Sequence, residues 1–476
     1  MTTSYEPVIG LEIHVQLSTK TKMFCACELS FGEQPNSRTC PVCLGMPGTL
    51  PVVNARAIDF GLLIGLALGS EIAPRSIFHR KNYFYPDLPK GYQISQFDIP
   101  LCLGGRLGEV AIHRVHLEED AAKLTHQGTS GRINDADSSV VDFNRGGTPL
   151  VEIVTEPDIY SAAQAREWLT LLRTTLRQLG VSDVNMEEGS LRCDANISIR
   201  PVGETTLGTK TELKNMNSFR FIERGIDAEI ARQVALVEAG QTVAQETLHF
   251  DPASGALTSL RSKEDSHDYR YFPEPDLVPI VVTQAMLAQA HAALPELPAQ
   301  RAQRFELDFA LTAEIARMLA FRTELGDYFE AAVGSRDCDD PAAIASWVTG
   351  ELVARLGDGD PGDSKVTPQA LSKLVGLVAT KQLTPGAGKS VLDRLVADGG
   401  DPAAVMESEG LAAMDSGDEL AEAVADAIAA NPDAVAKLRD GKEQAIGALI
   451  GHVMRETKGR ADGGDVTRLV REQLGL

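Results

Sequence analysis

The first part of the chain alternates apolar and polar residues, a pattern typical of a β-strand with one face against a core. From position 9 to position 17 the odd-numbered residues are apolar, and they alternate with Glu12, His14 and Gln16. Because side chains two residues apart share one face of a strand, Glu12 and His14 are predicted to point the same way, within reach of one ion or substrate. A solvated outer face would give the same alternation in an isolated strand.

Later segments repeat the arrangement with more acids, which favours a site. Residues 116–120 read His-Leu-Glu-Glu-Asp, so that in a strand Glu118 and Asp120 face one side and Glu119 the other. Glu152 lies within an apolar run, where a carboxylate is costly unless it is paired or bound to a metal. Glu152 is therefore the acid that is least easily explained as surface.

Two further strand patterns add bases to the predicted sheet. Residues 191–200 have apolar odd positions, and Arg192 and Asp194 lie on the polar side. The next pattern places Lys210 and Lys214 on one face. Several such strands indicate an antiparallel sheet whose polar face forms a site. Acids and histidine suit Mg²⁺ or Mn²⁺, and the bases suit the phosphates that such an ion carries.

Residues 80–93 mix bases, aromatics, prolines and glycine, which indicates an irregular loop with binding chemistry. Arg80, Lys81 and Lys90 could hold a phosphate or a carboxylate there. A solvated basic loop explains the same residues equally well.

Four cysteines form two close pairs, Cys25 with Cys27 and Cys40 with Cys43. Two pairs at this separation can surround one tetrahedral Zn²⁺ with four thiolates. Because four protein ligands close the coordination sphere, such a zinc is structural and not catalytic. Four reduced thiols are the alternative.

Length and composition are those of a soluble multidomain protein. The 476 residues are 43% hydrophobic and carry a formal net charge of -22, which argues against nonspecific coating of nucleic acid. With neither a membrane-length apolar run nor a secretory signal, a cytoplasmic location is expected.

Helices are predicted over residues 54–70, 161–179 and 218–239. The chain becomes alanine-rich and helical after about residue 294, and bases cluster between Lys437 and Arg460, where a capping domain and an RNA contact are equally compatible.

Several motifs, in this order, closely resemble the B subunit of the aspartyl/glutamyl-tRNA(Asn/Gln) amidotransferase. They are residues 8–17, 80–93, 116–120, 142–158, 191–200, 210–217 and 268–277, and residues 453–460 resemble the tail of that family. The resemblance covers essentially the whole chain, and Asn-Arg-Gly-Gly-Thr-Pro at 144–149 is highly specific. The sequence departs from the family pattern at Ala122, where glycine is expected.

The resemblance implies one component of a heterotrimer that makes Gln-tRNA(Gln) or Asn-tRNA(Asn) from Glu-tRNA(Gln) or Asp-tRNA(Asn). This component would phosphorylate the side-chain carboxylate with ATP, and ammonia from an amidase-type A subunit would displace the phosphate; a small C subunit ties the two together. It also implies an α+β fold: a glutamine-synthetase-like antiparallel-sheet catalytic domain, an all-helical domain and a small helical tail domain that binds tRNA. The predicted ranges are 1–293, with a zinc-binding insertion at 25–43, then 294–408 and 409–476.

The implied reaction joins two anions, so a cation must reduce the repulsion between carboxylate and triphosphate. We expect Mg²⁺ to be held by Glu12, His14, Glu119 and Glu152, with Asp194 as a fifth candidate among the catalytic residues. Because magnesium prefers oxygen ligands, a position of His14 behind the ligands is the alternative. ATP is expected to contact Arg80, Lys81, Lys90, Arg192, Lys210 and Lys214. In the tail, tRNA is expected to contact Lys442, Arg455 and Lys458.

Two other functions fit parts of the sequence less well. A free-standing ligase that amidates a small amino acid would use the same chemistry, but the two-part helical C-terminus would then be superfluous. A zinc-ribbon RNA-binding protein without catalysis is the alternative from a different class. The repeated acids on one sheet face argue against it, because they repel RNA phosphate unless a metal intervenes.

Overall fold

The computed structural model describes residues 4–128, 136–262, 268–357, 359–414, 417–457 and 459–476. The chain forms two compact units, which divide between Leu297 and Pro298. The first is a mixed α+β unit and the second is helical. Among the described residues, no helix has the length and apolarity that a bilayer span requires.

The first unit contains 17 strands and four helices among its described residues. The strands are β1 (Tyr5–Gln16), β2 (Glu71–Ile72), β3 (Arg75–Ser76), β4 (His79–Asn82), β5 (Tyr92–Ser95), β6 (Cys102–Leu103), β7 (Arg106–Leu107), β8 (Val110–Glu119), β9 (Lys123–Gly128), β10 (Ala136–Asp142), β11 (Pro149–Thr155), β12 (Leu191–Pro201), β13 (Thr211–Met216), β14 (Glu246–Phe250), β15 (Leu257–Ser262), β16 (Phe272–Pro273) and β17 (Ile280–Val281). The helices are α1 (Ala55–Ala67), α2 (Ala162–Gln178), α3 (Phe219–Glu238) and α4 (Gln284–Ala293).

A ten-stranded sheet organises this unit, in the order β15-β14-β13-β12-β1-β11-β8-β6-β2, with β7 paired to β8. Its central strands are antiparallel, as predicted. The pair β13 and β14 is parallel, which departs from the predicted antiparallel sheet at that point. A parallel pair needs a crossover connection, and here helix α3 supplies it. A separate three-stranded sheet has the order β16-β4-β5.

Strand β1 lies at the centre of the large sheet, and its alternation determines which face is buried. Its apolar residues Leu11, Ile13 and Val15 are at most 1% exposed. Helix α3 packs on β12 and β13, α1 packs on β8, and α2 packs on α3. The even-numbered residues of β1 therefore point to the opposite face of the sheet.

The second unit consists of helices in its described residues. They are α5 (Pro298–Phe309), α6 (Ala313–Ala320), α7 (Thr323–Gly334), α8 (Pro341–Ser346), a π-helical turn (Trp347–Leu352), α9 (Val353–Leu356), α10 (Pro368–Ala379), α11 (Pro385–Asp398), α12 (Pro402–Glu409), α13 (Asp418–Ala430), α14 (Pro432–Arg439), α15 (Ile446–Glu456) and α16 (Gly463–Leu474), with short 3-10 turns at Pro361–Asp363 and Glu443–Ala445. Several helices begin with a capping side chain followed by proline, such as Thr367 before α10.

Two hydrophobic clusters occupy this second unit. One extends from Ala302 to Leu411 and the other from Leu420 to Val470. Hydrogen bonds connect the two regions, for example from the Thr384 hydroxyl to the carbonyl of Gly459. The division of the chain into three domains stays a prediction.

Candidate active site

A row of polar residues crosses four neighbouring strands of the large sheet. His14 on β1 is paired with Arg192 on β12 and with Glu152 on β11, and Glu152 is paired in turn with His116 on β8. Because directly paired residues share a face, these side chains point to the same side of the sheet. The alternation in each strand thus builds one polar surface from segments far apart in sequence.

The side chains converge on a carboxylate–imidazole cluster, made of Glu12, His14, His116, Glu118 and Glu152. His14 Nε2 lies 3.4 Å from an Oε atom of Glu152, 3.7 Å from Glu12 and 3.8 Å from Glu118. His116 Nε2 lies 3.6 Å from a carboxylate oxygen of both Glu118 and Glu152. Both of these acids are buried.

The imidazoles offset part of the negative charge of the cluster. Burial acts to lower the pKa of His14, but the hydrogen bond with Glu152 and the charges of Glu118 and Glu152 raise it to about 9. Burial opposes ionisation of Glu152, yet His116 and His14 hold its pKa well below the usual range. Burial and the neighbouring charge of Glu152 raise the pKa of Glu12. The imidazoles therefore compensate carboxylates that would be costly to bury alone.

The donor set fits a hard divalent cation. Ligand atoms of two overlapping groups, Glu12 with His14 and Glu152, and His116 with Glu118 and Glu152, lie within 4.8 Å of one another. Oxygen ligands of octahedral Mg²⁺ are about 3 Å apart, since each lies about 2.1 Å from the ion. The ligand atoms of each group lie within 4.8 Å of one another, so a small movement of the carboxylates would bring their oxygens to this spacing. Three carboxylates supply the oxygens that Mg²⁺ or Mn²⁺ prefers.

The structure does not bring Glu119 into this cluster. Its Oε1 accepts hydrogen bonds from Lys90 and, at 2.9 Å, from the backbone N–H of Ile94. These contacts lie at a cavity that is also lined by Lys22 and Cys43. Because successive residues of a strand face opposite ways, Glu118 and not Glu119 approaches His14 and His116. The sequence-based assignment of Glu119 as a magnesium ligand is therefore not supported by the geometry, and neither is a free phosphate-binding role for Lys90.

Three of the predicted cations do lie around the polar face. The charges of Glu118 and Glu152 raise the pKa of Lys81, although burial acts to lower it. Arg192 donates to Asp120 at 2.9 Å. Lys214 forms ion pairs with Glu212 at 3.2 Å and with Asp194.

Asp194 is the partner of Glu12 in the β1–β12 register. It therefore lies on the polar face, as predicted, but its carboxylate contacts Lys214 and is outside the carboxylate–imidazole cluster.

Arg80 binds acids outside the carboxylate–imidazole cluster, and Lys210 lies outside the strands. The Arg80 guanidinium donates to both carboxylate oxygens of Glu274, at 2.7 and 2.8 Å, and also to Asp276. It stacks over Tyr92, so this arginine already has its partners. Lys210 is exposed in the loop before β13. The prediction that Arg80 holds an ATP phosphate has no support in the geometry, and the same prediction for Lys210 stays a prediction.

The four cysteines converge as predicted. Their sulfur atoms all lie within 4.8 Å of one another. Tetrahedral zinc with bonds of about 2.3 Å would place the sulfurs about 3.8 Å apart, so the group fits this ion. A hydrogen bond from Cys25 lowers the pKa of Cys43 to about 4, and the charge of Lys22 acts in the same direction. The Lys22 ammonium lies 3.7 Å from the Cys43 sulfur.

In the tail, Lys442 is exposed next to a 3-10 turn and Arg455 is exposed in the last turn of α15. Lys458, the third predicted tRNA contact, lies outside the described residues.

Sequence reasoning did not assign His116, Glu118 and Asp120 to the site. A signal was present for the first two, because they have the same strand parity and Glu118 adjoins the acid that was chosen instead. Asp120 holds Arg192 and also accepts a 2.6 Å hydrogen bond from Gln16. Only the register of β8 against β11 shows which of these acids point to the polar face.

Comparison with known proteins agrees with this architecture. Residues 7–288 match the family model described as the GatB/GatE catalytic domain, and residues 327–474 match the model described as the GatB domain. The first match covers the unit that carries the carboxylate–imidazole cluster. The two matches define a class of protein, the GatB-type proteins, whose first domain is catalytic.

Relatives match over the full length. A protein of Syntrophotalea carbinolica, named as the B subunit of aspartyl/glutamyl-tRNA(Asn/Gln) amidotransferase, is 46% identical over 484 residues, which cover 100% of this chain and 99% of that protein. Proteins of the same name from Myxococcus xanthus and Geotalea daltonii are 47% and 45% identical, each over 99% of both chains. The chain belongs to the family of aspartyl/glutamyl-tRNA(Asn/Gln) amidotransferase B subunits.

Proposed function

We propose that this chain is the carboxylate-activating component of a tRNA-dependent amidotransferase. It uses ATP to phosphorylate the side-chain carboxylate of Glu-tRNA(Gln) or Asp-tRNA(Asn), and ammonia then displaces the phosphate. The ammonia comes from an amidase-type A subunit, and a small C subunit completes the heterotrimer. The observation that carries this proposal is the carboxylate–imidazole cluster, with Glu118 and Glu152 buried in it, on a sheet of the GatB/GatE catalytic-domain family. The sheet is proposed to be of the glutamine-synthetase type.

The two chemical steps set the requirements of the site. A carboxylate oxygen of the substrate bonds to the γ-phosphorus of ATP while the bond to ADP breaks. The ammonia nitrogen then bonds to the acyl carbon, and phosphate leaves with the bonding electrons. Both reactants of the first step are anions, so the site must supply positive charge to bring them together. Its own carboxylates must at the same time stay ionised, because they are the proposed metal ligands.

The residues of the polar face can meet this requirement. Glu12, Glu118 and Glu152 would hold Mg²⁺, with His14 and His116 orienting the carboxylates. When bound, Mg²⁺ supplies the charge that reduces repulsion between carboxylate and triphosphate. Lys81 is close enough for the charges of Glu118 and Glu152 to raise its pKa, and its ammonium is the cation proposed to neutralise the transferred phosphoryl group.

Arg192 is the second cation that the polar face offers to the substrates. Asp120 fixes one side of its guanidinium, and because the side chain is 38% exposed, the terminal N–H groups that remain can bind a phosphate or carboxylate. It is directly paired with His14 in the sheet, so an anion bound there lies next to the cluster.

The test is to measure ATP hydrolysis and amidation by the purified complex with and without Glu-tRNA(Gln). We expect phosphate release to rise when mischarged tRNA is present and Gln-tRNA(Gln) to form when glutamine is added. Correctly charged Gln-tRNA(Gln) is the matched control, because it lacks the carboxylate to be phosphorylated. Equal ATP turnover with the two tRNAs would contradict the proposal.

The cysteine group is proposed to bind one structural Zn²⁺. It ties the segment after β1 to the loop before α1, and four thiolates leave no coordination position for a substrate. The zinc thus stabilises the fold beside the cavity that Glu119 and Lys90 line.

Native protein is expected to contain one equivalent of zinc per chain, and Cys43→Ser is expected to lose it. Because metal binding contributes to folding free energy, the melting temperature should fall by about 5 °C or more, whereas ATP hydrolysis is retained in the folded fraction. Atomic absorption and thermal unfolding measure both quantities. Cys193→Ala, at a buried cysteine outside the group, is the control and should keep its zinc. Protein without zinc whose four thiols all titrate freely would contradict the proposal.

A further inference from the structure

Four aromatic rings lie beside the carboxylate–imidazole cluster, and the proposed mechanism does not use them. Phe97 and Tyr271 are stacked, with centroids 4.2 Å apart and planes at 8°. Tyr269 meets Tyr271 edge-on at 6.1 Å, and Tyr83 meets Tyr269 at 6.0 Å. We call these four residues the aromatic shelf.

Lys81 connects the aromatic shelf to the cluster. Its ammonium lies 4.9 Å from the ring centroid of Tyr269. Burial raises the pKa of Tyr271, Lys81 acts to lower it, and the charges of Glu118 and Glu152 raise it further. The same two acids act on Lys81. Ser95, two residues before Phe97, donates a hydrogen bond to Glu118 at 2.9 Å, so the shelf adjoins the cluster.

The backbone that presents the shelf is held in an unfavourable conformation. Arg270, between two of the tyrosines, has a φ of 44°, in the left-handed region that non-glycine residues rarely adopt. Asn82 holds this segment: its backbone N–H donates to the Tyr269 carbonyl at 2.9 Å and its side-chain amide donates to the Arg270 carbonyl at 2.8 Å. A strained backbone conformation persists only where surrounding contacts hold it in place, and such conformations are concentrated at functional sites.

Phe97 remains 48% exposed, although it is one of the larger apolar side chains of this unit. A stacked, half-exposed aromatic pair offers a π-surface to a planar ligand, and every nucleobase has such a surface. Both substrates of the proposed reaction carry the same base: ATP has adenine, and tRNA ends in adenosine.

We propose that the aromatic shelf binds an adenine base of a substrate by stacking on the face of Phe97 that is turned away from Tyr271, which supports the ring from behind. This inference rests on the proposed function, because that function supplies the two adenine-bearing substrates. It adds to that function a site for the base, separate from the residues that contact carboxylate and phosphate.

The test compares Phe97→Leu and Tyr271→Leu with wild type in the purified full complex. The probes are ATP with magnesium and two forms of tRNA(Gln), one with its terminal adenosine and one without it. Stacking of one base corresponds to a change in affinity of about 5- to 150-fold. A loss of this size for ATP alone assigns the shelf to the nucleotide. A loss for intact tRNA but not for shortened tRNA assigns it to the terminal adenosine, and both results support the proposal.

Matched variants separate stacking from folding. Tyr271→Phe keeps the ring and should bind like wild type, and Phe272→Leu, the neighbouring exposed aromatic that stacks with Arg80, should also leave affinity unchanged. Unchanged affinity for both probes in Phe97→Leu and Tyr271→Leu, with unaltered melting temperature, overturns the shelf as a base site. These binding measurements need no turnover. A wild-type complex that binds both probes but never amidates tRNA would instead overturn the proposed function.

Discussion

Glu152→Gln is expected to lower the rate of phosphate transfer to Glu-tRNA(Gln) by about 10²-fold or more. Even changes of residues that only hydrogen-bond to a metal ligand lower metal affinity or activity by about 10- to 100-fold. The carboxylate of Glu152 approaches both His14 and His116, so it belongs to both potential ligand groups. Glutamine keeps the size of the side chain but removes its charge. Single-turnover transfer from γ-labelled ATP at saturating magnesium measures the effect, and tRNA binding should stay near wild type.

Glu156→Gln provides the matched control. Glu156 directly follows β11 and also pairs with a histidine, His113 at 2.8 Å, but this pair is exposed. Its removal should change the rate by less than about 2-fold, because exposed ion pairs contribute little. Equal activity of Glu152→Gln and Glu156→Gln would remove Glu152 from the catalytic residues.

The same assay decides between the two neighbouring acids of β8. Glu118→Gln is expected to behave like Glu152→Gln, because its carboxylate approaches both imidazoles. Glu119→Gln should instead disturb the contact with Lys90. Abolished phosphate transfer in Glu119→Gln together with full activity in Glu118→Gln would restore the ligand set that the sequence predicted.

Local patterns predicted the main elements closely. Helices expected over 161–179 and 218–239 are observed as α2 (Ala162–Gln178) and α3 (Phe219–Glu238). Serines cap both of them, Ser161 and Ser218. The strand expected over 191–200 is β12, because alternation over ten residues leaves one register for its buried face. Each of these signals lies within the element that it predicts.

The site depended on contacts that no local pattern contains. Arg80 and Glu274 are 194 positions apart, so the sequence showed a basic loop but not the acid that neutralises it. The choice between Glu118 and Glu119 depends on the pairing register of strand β8. A shift of that register by one residue would move every side chain of the strand to the other face of the sheet. Strand β14 was not predicted, although the long helix α3 after β13 is the type of connection that a parallel neighbour requires.

Removing the tail is expected to raise the KM for aminoacyl-tRNA by about 10²-fold or more, because two linked contacts bind with far greater avidity than either alone. The predicted tail begins at residue 409, but Leu411 is buried in the preceding hydrophobic cluster. A truncation after residue 412 therefore spares that cluster and removes the second one as a whole. Glutamine hydrolysis by the amidase-type partner, measured without tRNA, should survive.

A point-variant version of this experiment keeps the tail folded. Lys442→Ala and Arg455→Ala, combined with the same change at the predicted contact Lys458, should reproduce most of the loss and make the KM less dependent on salt, because phosphate contacts release counterions. On α15, a side chain at Gly447 or Gly451 would meet nothing within 4 Å, so a phosphate backbone can approach the helix along the line that ends at Arg455. Lys373→Ala with Arg394→Ala, two paired cations of the other helical cluster, is the charge control. An unchanged KM in the truncated complex would leave the tail with a purely structural role.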